Sequence, residues 1–261
     1  MANQYLSEWL DSPQGRDLLA WEQACFDRRV ADVFGYNALQ VGLPEFDFLA
    51  SSRIARHFAC ASRGPAQVIN KTYALPFASS SLDLVILPHV LEFASHPHQV
   101  LREVERVLVS DGRVLISGFN PFSLWGMRRL LARSGSAYPW RGHYLSVPRL
   151  RDWLALLGFE TAPADYGCYR PAVAGPDWLE RWRFMDRMGA RWWPVCGGAY
   201  VLQAVKRVHG MRLITPKWRE RLTADKRLAG VASGGQRVAG RFQHRRADRH
   251  GAGSANEQTW K

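Results

Sequence analysis

Two segments of the chain are apolar for about the length of one strand, which is typical of strands buried on both faces. They are residues 81–88, SLDLVILP, and residues 113–119, RVLISGF. Between them, from residue 98 to 109, apolar residues recur at helical spacing, at Val100, Leu101, Val104, Val107 and Leu108. A strand, a helix and a second strand at this spacing form a crossover unit, so the two strands are predicted to be parallel neighbours.

The pattern extends this unit in both directions. Further short apolar segments, each of strand length, lie at residues 36–42, 57–61, 66–70, 159–162 and 199–205. A helix is predicted over residues 147–157, where Ser146 can cap the first turn and Gly158 can end the last. Strands alternating with helices are typical of α/β domains with a mostly parallel sheet.

Composition divides the chain into a body and two flanking parts. Residues 1–35 are predicted to form an N-terminal helical cap, and residues 36–208 form the body. Within the body, residues 177–193 are predicted to be an inserted helix rich in Trp and Arg. Residues 209–261 lack apolar periodicity and are predicted to be a basic, largely disordered tail.

Charge and cysteine usage narrow the function classes. The formal net charge is +12, and the residues from Lys206 onward contribute +10 of it. The rest is nearly neutral, so a nucleic-acid or membrane partner is expected only through the tail. The cysteines are scattered without a C-x-x-C pair, which argues against a metal site or a disulfide framework. Without an apolar leader or a spanning run, a cytoplasmic protein is expected.

Five short motifs occur in order between residues 75 and 113. They are Leu75-Pro76-Phe77, Asp83-Leu84-Val85, His89-Val90-Leu91-Glu92, Leu101-Arg102-Glu103 and Asp111-Gly112-Arg113. In this order and spacing they resemble the type 11 branch of the class I S-adenosylmethionine-dependent methyltransferases, which act on small molecules and quinone rings. The resemblance extends thinly over residues 34–205, and it is nearest to uncharacterised bacterial members of that group.

The resemblance implies a fold, a cofactor and a site. The fold is a Rossmann-like three-layer sandwich with a mostly parallel seven-stranded sheet, whose last strand is antiparallel and lies between its neighbours. The cofactor is S-adenosyl-L-methionine, and the acceptor is a small or lipophilic molecule. The positions that match the family's cofactor site are Gly42, Leu43, Pro44, Ser62, Lys71, Thr72, Leu87, Pro88 and His89. The matching substrate side is His89, Glu92, Asn120 and Tyr144.

The chain departs from the family pattern on the cofactor side. Pro44 and Phe46 stand where later glycines of the first turn are expected, and Gln40 replaces an acid. Ser62 replaces the acid that accepts the ribose hydrogen bonds, and Lys71 replaces the Asp beside the adenine. A serine hydroxyl is a neutral hydrogen-bond acceptor, whereas the carboxylate of Asp or Glu is charged and reaches further from the backbone. The sequence therefore predicts weakened cofactor binding.

The substrate-side residues each have two interpretations. His89 and Glu92 are expected at the start of the helix after the fourth strand, as a proton acceptor near the methyl acceptor or as a structural pair. Asn120 either faces the substrate or begins a turn. The aromatic cluster that includes Tyr144 either lines the substrate or covers the sheet edge.

Two larger alternatives also stay open. The Trp/Arg-rich helix either packs on the sheet with its arginines outside or meets a membrane or lipophilic substrate. The tail either binds RNA or anionic lipid or only solubilises the chain. For the whole protein, the alternative to methyl transfer is a non-catalytic binding or regulatory module that retains the fold. The sequence leaves the oligomeric state undetermined.

Overall fold

A computed structural model describes residues 2–62, 66–131, 140–171 and 180–207. The tail predicted at residues 209–261 lies outside these ranges. The helices are α1 Ala2–Leu10, α2 Pro13–Val30, α3 Pro97–Val107, α4 Leu124–Leu131, α5 Val147–Leu156 and α6 Phe184–Trp192. The strands are β1 Asn37–Val41, β2 Arg56–Ala61, β3 Val68–Ile69, β4 Leu82–Pro88, β5 Leu108–Phe119, β6 Phe159–Thr161, β7 Asp165–Gly167 and β8 Ala199–Lys206.

One sheet organises these elements, in the order β3-β2-β1-β4-β5-β8-β6, with β7 also paired to β8. The strands β1 to β5 pair in parallel, and β4 and β5 are neighbours as predicted. The last strand, β8, is antiparallel to β5 on one side and to β6 and β7 on the other. The Rossmann-like fold and the antiparallel last strand are therefore confirmed.

The sheet has eight strands instead of seven because β7, which follows the predicted sixth strand, was not predicted from the sequence. Both β6 and β7 pair with β8, and Pro163 lies between them. A proline has no N–H to donate to the ladder, so regular pairing stops there. Between β6 and β7, the Ala162 N–H donates to the Gln203 carbonyl of β8 at 2.9 Å. This hydrogen bond holds the connecting segment against β8.

Helices cover both faces of the sheet and give three layers. One core cluster joins Leu39, Val85 and Ile116 of the sheet to the apolar sides of α3 and α5. The second cluster joins alternate residues of the same strands, such as Ala38 and Ile86, to α1 and α2. Successive side chains of a strand point to opposite faces, so two cores follow from a single sheet. No helix of the described residues is long and apolar enough to span a bilayer.

Local boundaries differ from the sequence expectations at three places. Helix α1 was not predicted from the sequence. Ser12 caps the next helix, α2, because its side chain accepts the Gly15 N–H at 3.1 Å. Helix α3 ends at Val107, two residues earlier than expected, and the chain enters β5 directly. The predicted helix over residues 177–193 is interrupted by a turn in its described part, and α6 begins after that turn. The division of the chain at residues 35 and 208 stays a prediction.

Gln40 organises the segment between β1 and β2. This segment forms only turns in residues 42–55, where a covering helix is usual in α/β units. The Gln40 side chain is 3% exposed, and its Nε2 donates to the carbonyls of Gly42, Leu43 and Phe46 at 3.3, 3.0 and 2.7 Å. Its Oε1 accepts the Phe48 N–H at 3.0 Å. One buried amide thus replaces the hydrogen bonds that a helix would supply.

This contact set makes a sharp prediction for Gln40→Glu. The substitution places a carboxylate against three carbonyl oxygens and removes the donor, so unfolding should become easier by about 2–4 kcal/mol. Chemical denaturation measures the change. Gln99→Glu, the same change at an exposed position of α3, should leave stability within about 0.5 kcal/mol. Equal stability of the two variants would show that the Gln40 amide does not hold the loop.

Candidate active site

Three parallel strands bring the predicted cofactor residues to one edge of the sheet. Strands β1, β4 and β5 run in the same direction, so the residues that follow Val41, Pro88 and Phe119 share the carboxyl edge. Ligands of open α/β sheets bind at this edge. The candidate site is therefore formed by the three segments that begin there.

The turn after β1 has a backbone shape that requires glycine. Gly42 has φ +85°, and its N–H donates to the Cys60 carbonyl of β2 at 2.8 Å. Leu43 has φ +45° and is 1% exposed, whereas Pro44 is half-buried. A Cβ at φ +85° is strained, so Gly42 holds the chain in a turn that few other residues adopt. The turn therefore has the glycine-dependent shape that the resemblance leads us to expect at the methionine end of the cofactor.

The side chains expected near the ribose and adenine are neutral or cationic. Ser62 and Lys71 are exposed, and Thr72 is half-buried. The Lys71 ammonium lies 5.6 Å from the centre of the Tyr73 ring, an attractive contact that keeps it at the surface. The described residues after β2 thus offer hydroxyls but no carboxylate next to Ala61, while residues 63–65 lie outside the described ranges. The fit to S-adenosylmethionine rests on the backbone more than on charged contacts.

The end of β4 is completely buried. Leu87 is 0% exposed, and Pro88 is also buried. His89 follows with φ +51°, and its N–H donates to the Ser117 carbonyl of β5 at 3.2 Å. A non-glycine residue in this region is uncommon and needs support from its neighbours. That support comes from the side chain of His89.

His89 lies between two buried carboxylates. Its Nε2 is 2.8 Å from Oε1 of Glu22, which comes from α2, and its Nδ1 is 3.0 Å from Oε2 of Glu92. All three side chains are no more than 1% exposed. The other oxygen of Glu92 accepts the Phe119 N–H, and the Phe119 ring centre lies 4.3 Å from that of His89. We call Glu22, His89 and Glu92 the buried triad.

The triad corrects the expected position of His89 and Glu92. They were expected at a helix start over the cleft, but residues 91–93 form a turn and the helix begins only at Pro97. Glu22 was not predicted as part of the site. The sequence did carry a sign of it, because Glu22 is a charged residue midway between Leu18 and Phe26 on the apolar side of α2.

The triad holds a charged imidazole in the core. Burial opposes protonation, but the nearby carboxylates of Glu22 and Glu92, and hydrogen bonds to both, outweigh it and raise the pKa of His89 to about 10. With both ring nitrogens facing carboxylate oxygens, His89 has no lone pair to offer a metal. Within the described ranges no group of residues is arranged to hold a metal ion.

Asn120 uses its polar atoms within its own loop. Its Nδ2 donates to the carbonyls of Val195 and Gly197 at 2.7 and 2.9 Å, and its Oδ1 accepts the Phe122 N–H at 3.1 Å. Its backbone N–H donates to the Gly198 carbonyl at 2.9 Å. Asn120 therefore fastens the turn after β5 to the segment before β8, as expected of a residue that begins a turn.

Tyr144 differs from the other substrate-side residues in the surroundings of its hydroxyl group. The hydroxyl is buried and finds no hydrogen-bond partner among the residues that the structure describes. The centre of the Tyr144 ring lies 5.1 Å from that of the Phe119 ring. The Arg129 guanidinium lies 5.2 Å from the centre of the Tyr144 ring. Burial, and then the Glu92 carboxylate, raises the pKa of Tyr144 above its usual value, so it stays a neutral phenol that can donate a hydrogen bond.

An apolar cavity of about 510 Å³ opens beside the end of β5. Its walls come from the loop after β5, from α4 and from α6. The lining residues are Pro121, Phe122, Ser123, Leu124, Met127, Leu130, Tyr169, Met185, Gly189, Trp193 and Cys196. The volume lies in the range of small-molecule sites. The cavity therefore offers a mostly hydrophobic space at the carboxyl edge.

The triad generates a pH prediction. The His89 pKa is raised from about 6.5 in the unfolded chain, so its stabilisation is complete below that pH and is lost as pH rises toward about 10. Glu22→Gln should lower the free energy of unfolding by about 1.5–3 kcal/mol near neutral pH, because His89 loses one of its two hydrogen bonds to a charged carboxylate and keeps only the one to Glu92. It should also flatten the fall in stability at alkaline pH.

Denaturation of wild type and Glu22→Gln between neutral pH and about pH 10 measures both effects. Glu8→Gln, the same change at an exposed position of α1, is the control and should match wild type. An unchanged pH slope in Glu22→Gln would mean that His89 is neutral in the folded protein.

Comparison with known proteins agrees with the fold. Residues 50–116 match the family described as "Methyltransferase domain". The chain is 32% identical over 159 residues to the uncharacterized protein YafS of Escherichia coli, covering 60% of this chain and 66% of YafS. It is 32% identical over 118 residues to a malonyl-[acyl-carrier protein] O-methyltransferase of Laribacter hongkongensis, covering 45% of this chain and 38% of that protein. The chain thus spans less than two thirds of each relative.

A solved structure shares the architecture at low identity. The S-adenosylmethionine-dependent methyltransferase of Archaeoglobus fulgidus superposes with a TM-score of 0.52 and 15% identity, over 72% of this chain and 94% of that one. The strand order, the family match and this superposition agree with the resemblance seen in the sequence. The chain therefore has the fold of the S-adenosylmethionine-dependent methyltransferases, and its residues 50–116 match the methyltransferase domain family.

Proposed function

We propose that the protein transfers the methyl group of S-adenosylmethionine to a lipophilic small molecule bound in the apolar cavity. The observation that supports the acceptor class is the cavity itself, about 510 Å³ and mostly apolar, beside the end of β5. The Gly42 turn lies at the same carboxyl edge. Methyl transfer depends mainly on alignment of acceptor and methyl group, which two sites on one edge can provide.

In this proposal the cofactor lies along the ends of β1, β2 and β4. The backbone of Gly42, Leu43 and Pro44 approaches its methionine end. The hydroxyls of Ser62 and Thr72 replace charged contacts to the ribose, with Lys71 at the outer rim and with Leu87 and Pro88 beneath. When bound, S-adenosylmethionine supplies an electrophilic methyl group on its sulfonium.

The triad limits which acceptors are suitable. A His89 that keeps its proton cannot take one from the acceptor, so His89 and Glu92 hold the edge in place and do no acid–base chemistry. The acceptor atom must then be nucleophilic without help from His89. The Tyr144 hydroxyl is buried and does not line the cavity, so it does not orient an acceptor there, whereas Asn120 shapes the loop after β5 that forms one cavity wall.

A non-catalytic module is the second candidate, and Gln40 is the observation that favours it. The carbonyls of Gly42 and Leu43 already accept hydrogen bonds from the Gln40 amide, so they are less available to a cofactor. Among the described residues, no carboxylate lies next to Ala61 to bind the ribose of the cofactor, and this also favours a module that binds no cofactor. Binding of the cofactor separates the two candidates.

The test is calorimetric titration of the protein with S-adenosylmethionine and S-adenosylhomocysteine. We expect measurable binding with a Kd weaker than about 1 μM, since each lost charged hydrogen bond removes about 1.5–3 kcal/mol. Gly42→Val should abolish it because the Val side chain enters the cofactor space. Gly158→Val is the matched control: Gly158 also has a positive φ, +81°, but precedes β6 at the opposite edge.

The outcomes are distinct. Absence of binding in the wild type supports the non-catalytic module. Binding that Gly42→Val retains would place the cofactor elsewhere. Loss of binding in Gly42→Val but not in Gly158→Val supports the proposed site, because both variants carry comparable backbone strain.

A further inference from the structure

Helix α6 exposes three large apolar side chains in one row. Phe184, Met188 and Trp192 are 51%, 45% and 68% exposed, and their i, i+4, i+8 spacing places them on one face. The sequence left open whether this helix packs on the sheet or meets a membrane or a lipophilic substrate, and these three side chains face solvent. We call them the exposed stripe.

The exposed stripe is not the face by which α6 packs on the protein. The helix is attached through Gly189, which lies against the Tyr169 ring, and through Asp186. The Asp186 carboxylate accepts the Tyr169 N–H at 3.0 Å and forms an ion pair with Arg170 at 2.8 Å. The attachment therefore uses a different side of α6, and the stripe stays in contact with solvent.

The surroundings of the stripe are ordered in a specific way. Arg187 and Arg191, both exposed, lie along one side of it, each one position before a stripe residue. On the other side, Met185 and Gly189 line the apolar cavity, each one position after a stripe residue. Around α6, the two arginines, the exposed apolar stripe and the cavity wall therefore follow one another in this order.

Helix α4 and the turn before it continue this surface across the cavity. Phe122, Met127 and Leu130 line the cavity and are also 68%, 55% and 78% exposed. Arg128 is exposed beside them. The cavity mouth is thus bordered on two sides by exposed apolar side chains with arginines next to them, which is more than the scattered apolar residues of an ordinary surface.

We infer that this surface docks on an anionic phospholipid bilayer. The exposed stripe enters the boundary between headgroups and acyl chains, and the arginines contact the lipid phosphates. Apolar side chains flanked by cations match both layers of such an interface, the acyl chains and the anionic headgroups. The cavity mouth then faces the lipid. Docking does not depend on methyl transfer.

The sequence offered two candidate membrane surfaces, this helix and the basic tail, and the inference assigns docking to the helix. The test therefore uses the full chain, so that the tail is present in every sample. Co-sedimentation is measured with vesicles of phosphatidylcholine and phosphatidylglycerol, and with vesicles of phosphatidylcholine alone. The stripe variant combines Met188→Gln with Trp192→Gln. The control combines Leu156→Gln with Ile69→Gln, whose side chains are 86% and 69% exposed elsewhere.

We expect wild type and control to bind the mixed vesicles, and the stripe variant to bind at least about tenfold more weakly. Arg187→Gln and Arg191→Gln should each weaken binding about fivefold. Melting temperatures should match in wild type, stripe variant and control, since all four side chains are exposed. Cofactor titration should also be equal in all of them, which separates failure of docking from failure of the proposed function.

Three results would overturn the inference. The first is no binding of the wild type to mixed vesicles. The second is equal binding of the stripe variant and the control, which would mean that the tail alone holds the membrane. The third is a wild-type oligomer in solution that the stripe variant dissociates, which would make the stripe a protein interface.

Discussion

The contact of His89 with Glu22 and Glu92 is the interaction on which the active edge depends. It connects three elements: Glu22 belongs to α2, His89 follows β4, and Glu92 also accepts the N–H of Phe119 at the end of β5. Buried charges are costly unless they are paired. A pairing that draws on three elements therefore specifies how the N-terminal helices sit on the sheet.

The same contact changes how the site is expected to work. In its position at the carboxyl edge, a histidine suggests a proton acceptor, yet the two carboxylates keep its ring protonated. What remains for chemistry is the alignment of an acceptor in the apolar cavity. An edge of this kind suits an acceptor that needs no base, and the exposed stripe of α6 suggests where a lipophilic acceptor would come from.

The sequence predicted the fold well because the fold follows from local pattern. Apolar runs such as residues 81–88 identify buried strands, and their spacing identifies crossovers, without knowledge of any contact. The end of β6 before Pro163 also follows from the sequence, since a proline interrupts a ladder, but the short strand β7 after it was not predicted.

The site was less predictable because it depends on distant partners. Glu22 and His89 are far apart in sequence, and no local pattern pairs a carboxylate of the first helices with a histidine after the fourth strand. Gln40 was identified as a departure from the family, but its three hydrogen bonds to its own loop follow from a turn geometry that the sequence did not show. The outward direction of Phe184, Met188 and Trp192 depends on Gly189 and Asp186 fixing the opposite side of α6.

The central claim is that His89 is held as an imidazolium by two carboxylates inside the protein. Nitrogen-15 NMR of the histidine side chains reports the protonation of both ring nitrogens directly, and His89→Gln identifies the signal among the 8 histidines. Above the ordinary histidine pKa, at about pH 8, the account predicts two protonated nitrogens for His89 while exposed histidines are neutral. A neutral His89 ring at that pH, with one bare nitrogen, would contradict it.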